Sequence, residues 1–314
     1  MSSMTVRVER VTLAAFIATS VLAGGNGVGI RFSNRELDPL WGAALRFSAA
    51  ALVLLIVMAA LRLKLPRSRA LAGAALFGAL NFSAAFALAY LALVHLHAGF
   101  GQVLLSTVPL ATLLLAVVWR QERLTAAAVT GTLLALAGVG ILLRESLTGP
   151  VPLASILAAI GSAVCLAQAA VAVRAFPRVH PVTMNAIGMT VGAALLLAGS
   201  AVRGDTWSFP AESETWAAVA YLVGAGSVGV FLLYLVVLEH WPASRASYVM
   251  VVIPLVTVVL SAWLDDEPIG AGIVLGGPLI LGGVYVGVLR RSQPRQPTVD
   301  HASRGGPRAK THES

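Results

Sequence analysis

Residues 216–238 read WAAVAYLVGAGSVGVFLLYLVVL, 23 positions without a charge. Inside them GAGSVG, residues 224–229, fits G-x-G-x-x-G, the pattern of a loop that holds a dinucleotide pyrophosphate between a strand and a helix. The surroundings decide against that loop. At a rise of ~1.5 Å per residue, a helix of this length crosses the roughly 30 Å hydrocarbon core of a bilayer. The acid that a dinucleotide fold places about 20 positions further on is missing, because no Asp or Glu occurs from His240 to Leu264. The stretch reads as a membrane helix. Its small-residue pairs, Ala225 with Gly229 and Ala220 with Gly224, are expected to let a neighbouring backbone approach closely.

The rest of the chain agrees. Of 314 residues 58% are hydrophobic and 11% charged, under half the charge of an ordinary soluble domain, about 25%. Ten uncharged or nearly uncharged runs are read as spans: 11–30, 40–61, 70–91, 98–118, 124–143, 151–173, 182–202, 216–238, 246–264 and 269–289. The expected fold is an all-α polytopic membrane protein with ten transmembrane helices. The single cysteine, Cys165, leaves no internal disulfide and no Cys-x-x-Cys metal pattern. A net charge of +8 need not mean nucleic acid, because the basic residues gather in short connections and in the last 25 positions. Alternate connections hold 17 and 4 of the Lys and Arg residues, which places the N- and C-termini in the cytoplasm. Residues 1–10 form a cytoplasmic N-terminus, and the basic tail 290–314 has too few large apolar side chains to build a core.

The chain also repeats itself. PLATLLLAVVWRQE (109–122) and PLVTVVLSAWLDDE (254–267) share Pro-Leu-x-Thr and a closing Glu, 145 residues apart. The same offset pairs His95 with His240, Gly131 with Gly276 and Gly138 with Gly283. SAAFALAY (83–90) matches SVGVFLLY (227–234) at an offset of 144, and Asn26 matches Gln168 and Pro39 matches Pro181 at 142. Two five-span repeats, 11–143 and 151–289, joined by a linker at 144–150, follow from these offsets. An odd number of spans inverts the second repeat relative to the first, an arrangement typical of secondary transporters.

With GGNGVGIRF opening the first repeat, PLWGAALRF opening the second span and the two Pro…Glu…Gly…Gly blocks, residues 11–289 resemble paired EamA domains of the drug/metabolite transporter superfamily. The resemblance implies a ten-helix bundle with alternating access to a central cavity. It implies small metabolites as substrates, often exported, which range from amino acids to purines in that superfamily.

A transport site needs polar groups facing a cavity at mid-membrane, because lipid cannot satisfy them. Ser83, Phe86 and Tyr90 share a helix face by their spacing, and Ser227, Phe231 and Tyr234 mirror them. The rings are suited to stacking and the hydroxyls to hydrogen bonding, although tyrosines near helix ends also serve as headgroup anchors. Asn26 and Gln168 carry matched amides that suit a polar substrate or a neighbouring helix. Asn81, Gln102 and Tyr248 are further polar candidates. Arg46, the one full charge well inside a span, either meets a substrate carboxylate or phosphate, makes a structural contact, or snorkels to the outer interface. Glu122 and Glu267 stand at span ends and are expected to tie helix termini to neighbours. His95 and His97 lack a third ligand, and no metal or cofactor is expected.

No carboxylate lies in the middle of any span, so proton coupling through a membrane acid has no support. The expected function is therefore export, exchange or facilitated diffusion of a small polar metabolite. Its partners are that small molecule and the lipid bilayer, with no nucleic acid, and its oligomeric form is a monomer or a homodimer. Arg dominates Lys, 20 to 2, and with the abundant Ala, Gly and Val this points to a GC-rich bacterium and its plasma membrane. A nucleotide-sugar or organophosphate carrier would need more cavity cations than Arg46. An enzyme would need a mid-depth catalytic set, and a sensor or scaffold would want an output domain.

Overall fold

A computed structural model describes residues 3–121, 125–148, 152–241 and 249–286. Among these residues there is helix and no strand. We number the helices α1 (Ser3–Ser33), α2 (Pro39–Ala60), α3 (Arg69–Ala92), α4 (Ala98–Val118), α5 (Ala126–Thr148), α6 (Leu153–Ala172) and α7 (Pro181–Arg203). They continue with α8, which runs through Ser213–Val223, Gly224–Gly229 and Val230–His240, then α9 (Val249–Leu264) and α10 (Ala271–Val284). Seven are long and apolar enough to cross a membrane, and three apolar stretches, Ala126–Ile141, Val252–Leu264 and Ala271–Val284, are shorter. Glu122, Tyr248 and the basic tail lie outside the described residues.

Local sequence sets the helix ends and breaks. Pro39 and Pro181 occupy the first turns of α2 and α7, where the missing N–H is no loss and the fixed φ suits the helix. α7 stops at Gly204, whose φ of 78° is the left-handed cap that glycine adopts freely. α4 is interrupted at Ser106 and Thr107, whose hydroxyls donate to the Val103 and Leu104 carbonyls (2.6 and 2.7 Å) just ahead of Pro109. Two helices contain a π-helical turn: Ala79–Ala84 in α3 and Gly224–Gly229 in α8. The G-x-G-x-x-G stretch is thus continuous helix with no left-handed glycine, and its π form was not anticipated.

α1 packs against α8 and α9, and α6 packs against α3 and α4. α2 lies along α7, and α5 along α10. This set of pairs is unchanged when the helices of one half are exchanged for those of the other. The glycines make the relation visible in atoms. A Cβ on Gly283 would collide with the Gly131 carbonyl, and one on Gly138 with the Gly276 carbonyl. Residues paired in sequence at an offset of 145 therefore contact each other's counterparts, as a two-fold interface requires. The close approach expected at Gly224 is absent, since nothing lies within 4 Å of a Cβ built there. In α8 it occurs instead at Gly226, where a Cβ would meet the Asn26 amide oxygen.

The outward surface is strongly apolar: Val202 is 91% exposed, Trp263 76% and Val118 74%, and lipid is the solvent that such side chains fit. Helix hydroxyls are satisfied locally, as where Thr12, Thr19 and Ser20 donate to the carbonyls four residues back.

One end of the bundle is tied by ion pairs. Arg31 Nε lies 2.7 Å from both Asp265 Oδ2 and Glu267 Oε1, and Arg31 Nη1 donates to the Leu96 carbonyl at 2.7 Å. Arg35 also pairs with Asp265, and more loosely with Glu214. Glu267 accepts from the backbone of Ala98 (2.9 Å) and Gly99 (3.5 Å), so it caps the N-terminus of α4. The expectation for Glu267 is met in that contact. At the same end the 204–212 connection covers α2. Trp41 stacks on Trp207 at 5.4 Å and donates to the Ser208 carbonyl, while Asp38 accepts from Thr206.

Candidate functional site

A cavity of about 350 Å³ lies among α1, α2, α3, α7, α8 and α9, with Leu166 contributed by α6. It runs from Arg46 and Ser227, well inside their helices, to Asn185 near the start of α7 and Val249 at the start of α9. A smaller space of about 160 Å³ adjoins it toward the ion-paired end and shares Asn26 and Phe86 with it.

Arg46 is the chemical centre. It sits seven residues into α2, about 10 Å down the helix, and is only 1% exposed. It does not snorkel. Acceptors for it lie in the π turn of α8. Its Gly226 carbonyl accepts from Arg46 Nη2 at 3.2 Å and from Asn26 Nδ2 at 3.2 Å. Arg46 Nη2 also donates to Asn26 Oδ1 (3.3 Å), and Nε donates to Ser227 Oγ (3.0 Å). Ser227 in turn donates to the Leu222 carbonyl at 2.8 Å. Three helices, α1, α2 and α8, are joined through one guanidinium.

Aromatic rings hold that group in place. The Arg46 Cζ lies 5.0 Å from the Phe47 ring centre and 5.1 Å from that of Phe86, within the reach of cation–π attraction. Phe47 meets Phe82 and Phe86 with centroids 5.3 and 4.7 Å apart. Among the described residues no carboxylate lies within 4 Å of Arg46, and its Nη1 is buried without a hydrogen-bond partner, as is the Tyr90 hydroxyl. A buried cation held only by neutral acceptors retains most of its desolvation cost.

The cavity lining brings together Asn26, Arg46, Asn81, Phe86, Ser227, Phe231 and Tyr234 of the expected residues. Gln102 lines the smaller space beside Asn26. Ser83, Tyr90 and Gln168 line neither. In α3 the cavity face carries the expected Asn81 and Phe86 together with Phe82, which stands one position back from the expected Ser83, and a single position turns a side chain by about 100°. Tyr90 packs near Gly42 behind the lining with its hydroxyl beside Arg46, and its carbonyl accepts from Asn34 at 2.9 Å. α6 presents Leu166, not Gln168.

Thr19, Asn185 and Met189 line the cavity and were not anticipated. Asn185 is a polar residue in an otherwise apolar run, which is a signal, but the repeat offers it no polar counterpart. His95 and His97 are exposed in the connection before α4.

Comparison with known proteins agrees with this architecture. The model of the EamA-like transporter family matches the chain twice, at residues 11–144 and 153–289. An uncharacterized transporter of Archaeoglobus fulgidus is 26% identical over 83% of this chain and 93% of its own length. The uncharacterized transporter YvbV of Bacillus subtilis is 24% identical over 65% of this chain and 68% of its own. A solved crystal structure superposes with a TM-score of 0.63 at 22% identity, covering 90% of this chain and 98% of that one, a likeness of fold. This is a multi-pass membrane protein, and it belongs to the EamA-like transporter family.

Proposed function

We propose that the protein is a secondary transporter that exports or exchanges a small polar metabolite by alternating access. In this reading α5, α9 and α10 complete ten spans, the two family-matched halves lie inverted in the membrane, and both termini are cytoplasmic. The membrane is the plasma membrane of a bacterium.

The observation that carries the reading is the cavity between the halves, with a buried Arg46 fixed by a π turn. A second π turn, Ala79–Ala84, lies 145 residues earlier in the other half and also lines the cavity through Asn81 and Phe82. π turns recur at functional sites. The ion pairs of Arg31 and Arg35 close one end of the bundle, while the lining extends toward the other. An organophosphate carrier fits less well, since Arg46 is the only charged residue in the described lining.

The test is a thermal-shift screen of the purified chain against metabolites, followed by counterflow in proteoliposomes preloaded with each stabilising compound. Saturable exchange above that of protein-free liposomes is expected. Stabilising ligands with no exchange in either direction would overturn the transport reading.

A further inference from the structure

We infer that the substrate is an organic monocarboxylate with a compact apolar or aromatic body and no compensating cation, docked by its carboxylate on Arg46. The inference rests on the transport reading of the same cavity and narrows its substrate class.

The argument starts from charge. The described lining of the larger cavity holds one cation, Arg46, and no Asp, Glu, Lys or His. The guanidinium is held by neutral acceptors, namely the Asn26 amide, the Ser227 hydroxyl and the Gly226 carbonyl. Nη1 has no acceptor at hydrogen-bond distance, its neighbour being the neutral Tyr90 hydroxyl, which is likewise unpaired. Removing a cation from water and leaving it without a counter-ion is unfavourable, and a monoanion that arrives with the substrate removes the imbalance. A zwitterion brings no net charge and leaves the +1 of the site in place. A phosphate monoester brings up to two negative charges and overshoots it. Neutral amides and alcohols gain a hydrogen bond but not the pairing.

Shape and polarity point the same way. Beyond Arg46 the walls are largely apolar, with Phe82, Phe86, Phe231, Leu166, Met189 and Ile253 among the lining residues. The few remaining polar groups, among them Asn81, Asn185 and Tyr234, are neutral. A pocket of a few hundred cubic ångströms, mostly apolar with a small number of placed polar groups, suits one small amphipathic molecule. The guanidinium is already fixed by three hydrogen bonds and two rings, so little ordering remains when the anion binds.

The experiment compares isosteres on the full-length protein in detergent, in low-chloride buffer. Benzoate, phenylacetate and hexanoate are set against benzamide, phenylalanine, benzylamine and phenyl phosphate, with thermal shift and calorimetry as readouts. At least one monocarboxylate is expected to stabilise the protein at least about tenfold more tightly than its neutral, zwitterionic or phosphate analogue, the ratio expected of a charge-assisted hydrogen bond. Arg46→Gln is expected to lose that difference while eluting as a single species, and Arg46→Lys to keep part of it. Should Arg46→Gln not fold, the comparison of isosteres on the native chain still decides.

Equal binding of benzoate and benzamide, preference for the zwitterion or phosphate, or no response to any monocarboxylate would each overturn the inference. So would chloride alone saturating the Arg46-dependent response and excluding benzoate. The two readings fail separately. Binding of monocarboxylates without counterflow removes transport and leaves the site. Counterflow of another compound that benzoate does not inhibit removes the monocarboxylate and leaves transport.

Discussion

Gly226 and Asn26 are as necessary to the buried cation as Arg46 itself. The Asn26 side chain occupies the space where any other residue at 226 would place its Cβ, and it bonds both to the Gly226 carbonyl and to Arg46. Gly226→Ala must therefore displace the amide or the helix. Overpacking of this kind costs about 1–3 kcal/mol, and here it also disturbs a guanidinium contact. A clear fall in apparent unfolding temperature is expected. Gly224→Ala, two residues away with open space at its Cβ and a negative φ, is expected to change stability by less than about 0.5 kcal/mol. A fluorescence-monitored melt of the two variants checks this, and equal losses would show that the packing at Gly226 is not special. At this scale the sequence was partly legible. Arg46 stands out as a lone charge in a span. Its acceptors do not, because one is a backbone carbonyl within a π turn that GAGSVG gives no local sign of.

Elements were legible to the degree that a run of apolar residues defines them. Charges and prolines marked the helices well, since those residues are expensive in lipid or cannot donate a backbone bond. The faces were harder. Spacing groups Ser83 and Tyr90 with Phe86, but which of several faces meets a cavity depends on the neighbours, and α3 presents Phe86 with Phe82 and not with Ser83 or Tyr90. Matching Asn26 with Gln168 likewise identified a polar pair without showing that only one of them reaches the site. Span ends were easier, because an acid beside an N-terminus has few other uses, and Glu267 does cap α4. The same connection gives a dependence on pH. Burial pushes the Asp265 carboxyl up, but its hydrogen bonds and the charges of Arg31 and Arg35 outweigh this and hold it below the usual range. A carboxylate lowered in this way stabilises the folded state above its unfolded value, near pH ~4, and the contribution is lost as pH falls through the lower folded value. Melting curves are therefore expected to drop more steeply below about pH 4 for the native chain than for Asp265→Asn, which starts lower and has no proton to take up. Parallel curves would remove Asp265 from the acid response.

For the whole molecule, two independent lines bear on orientation. Helix pairing that survives exchange of the halves, and glycines that contact each other's counterparts across α5 and α10, are what two repeats related by a two-fold axis produce, and the proposed inversion fits them. The charges then assign the ends. The end carrying Arg31, Asp38, Asp205, Asp265 and Glu267 is rich in acids, while the connection at 61–68 holds Arg62, Lys64 and Arg67. The proposed orientation puts the basic end in the cytoplasm. Exposed positions on the two ends are available at Arg67 and Glu212, and replacing Cys165 with Ala removes the only native thiol. In that background, a membrane-impermeant maleimide added to intact cells is expected to label Glu212→Cys. It should reach Arg67→Cys only after the cells are permeabilised. The reverse pattern would invert the protein in the membrane, and labelling of both in intact cells would mean that the two connections share a side. That outcome would leave the cavity between α1, α2 and α8 without the two-sided access on which alternating transport depends.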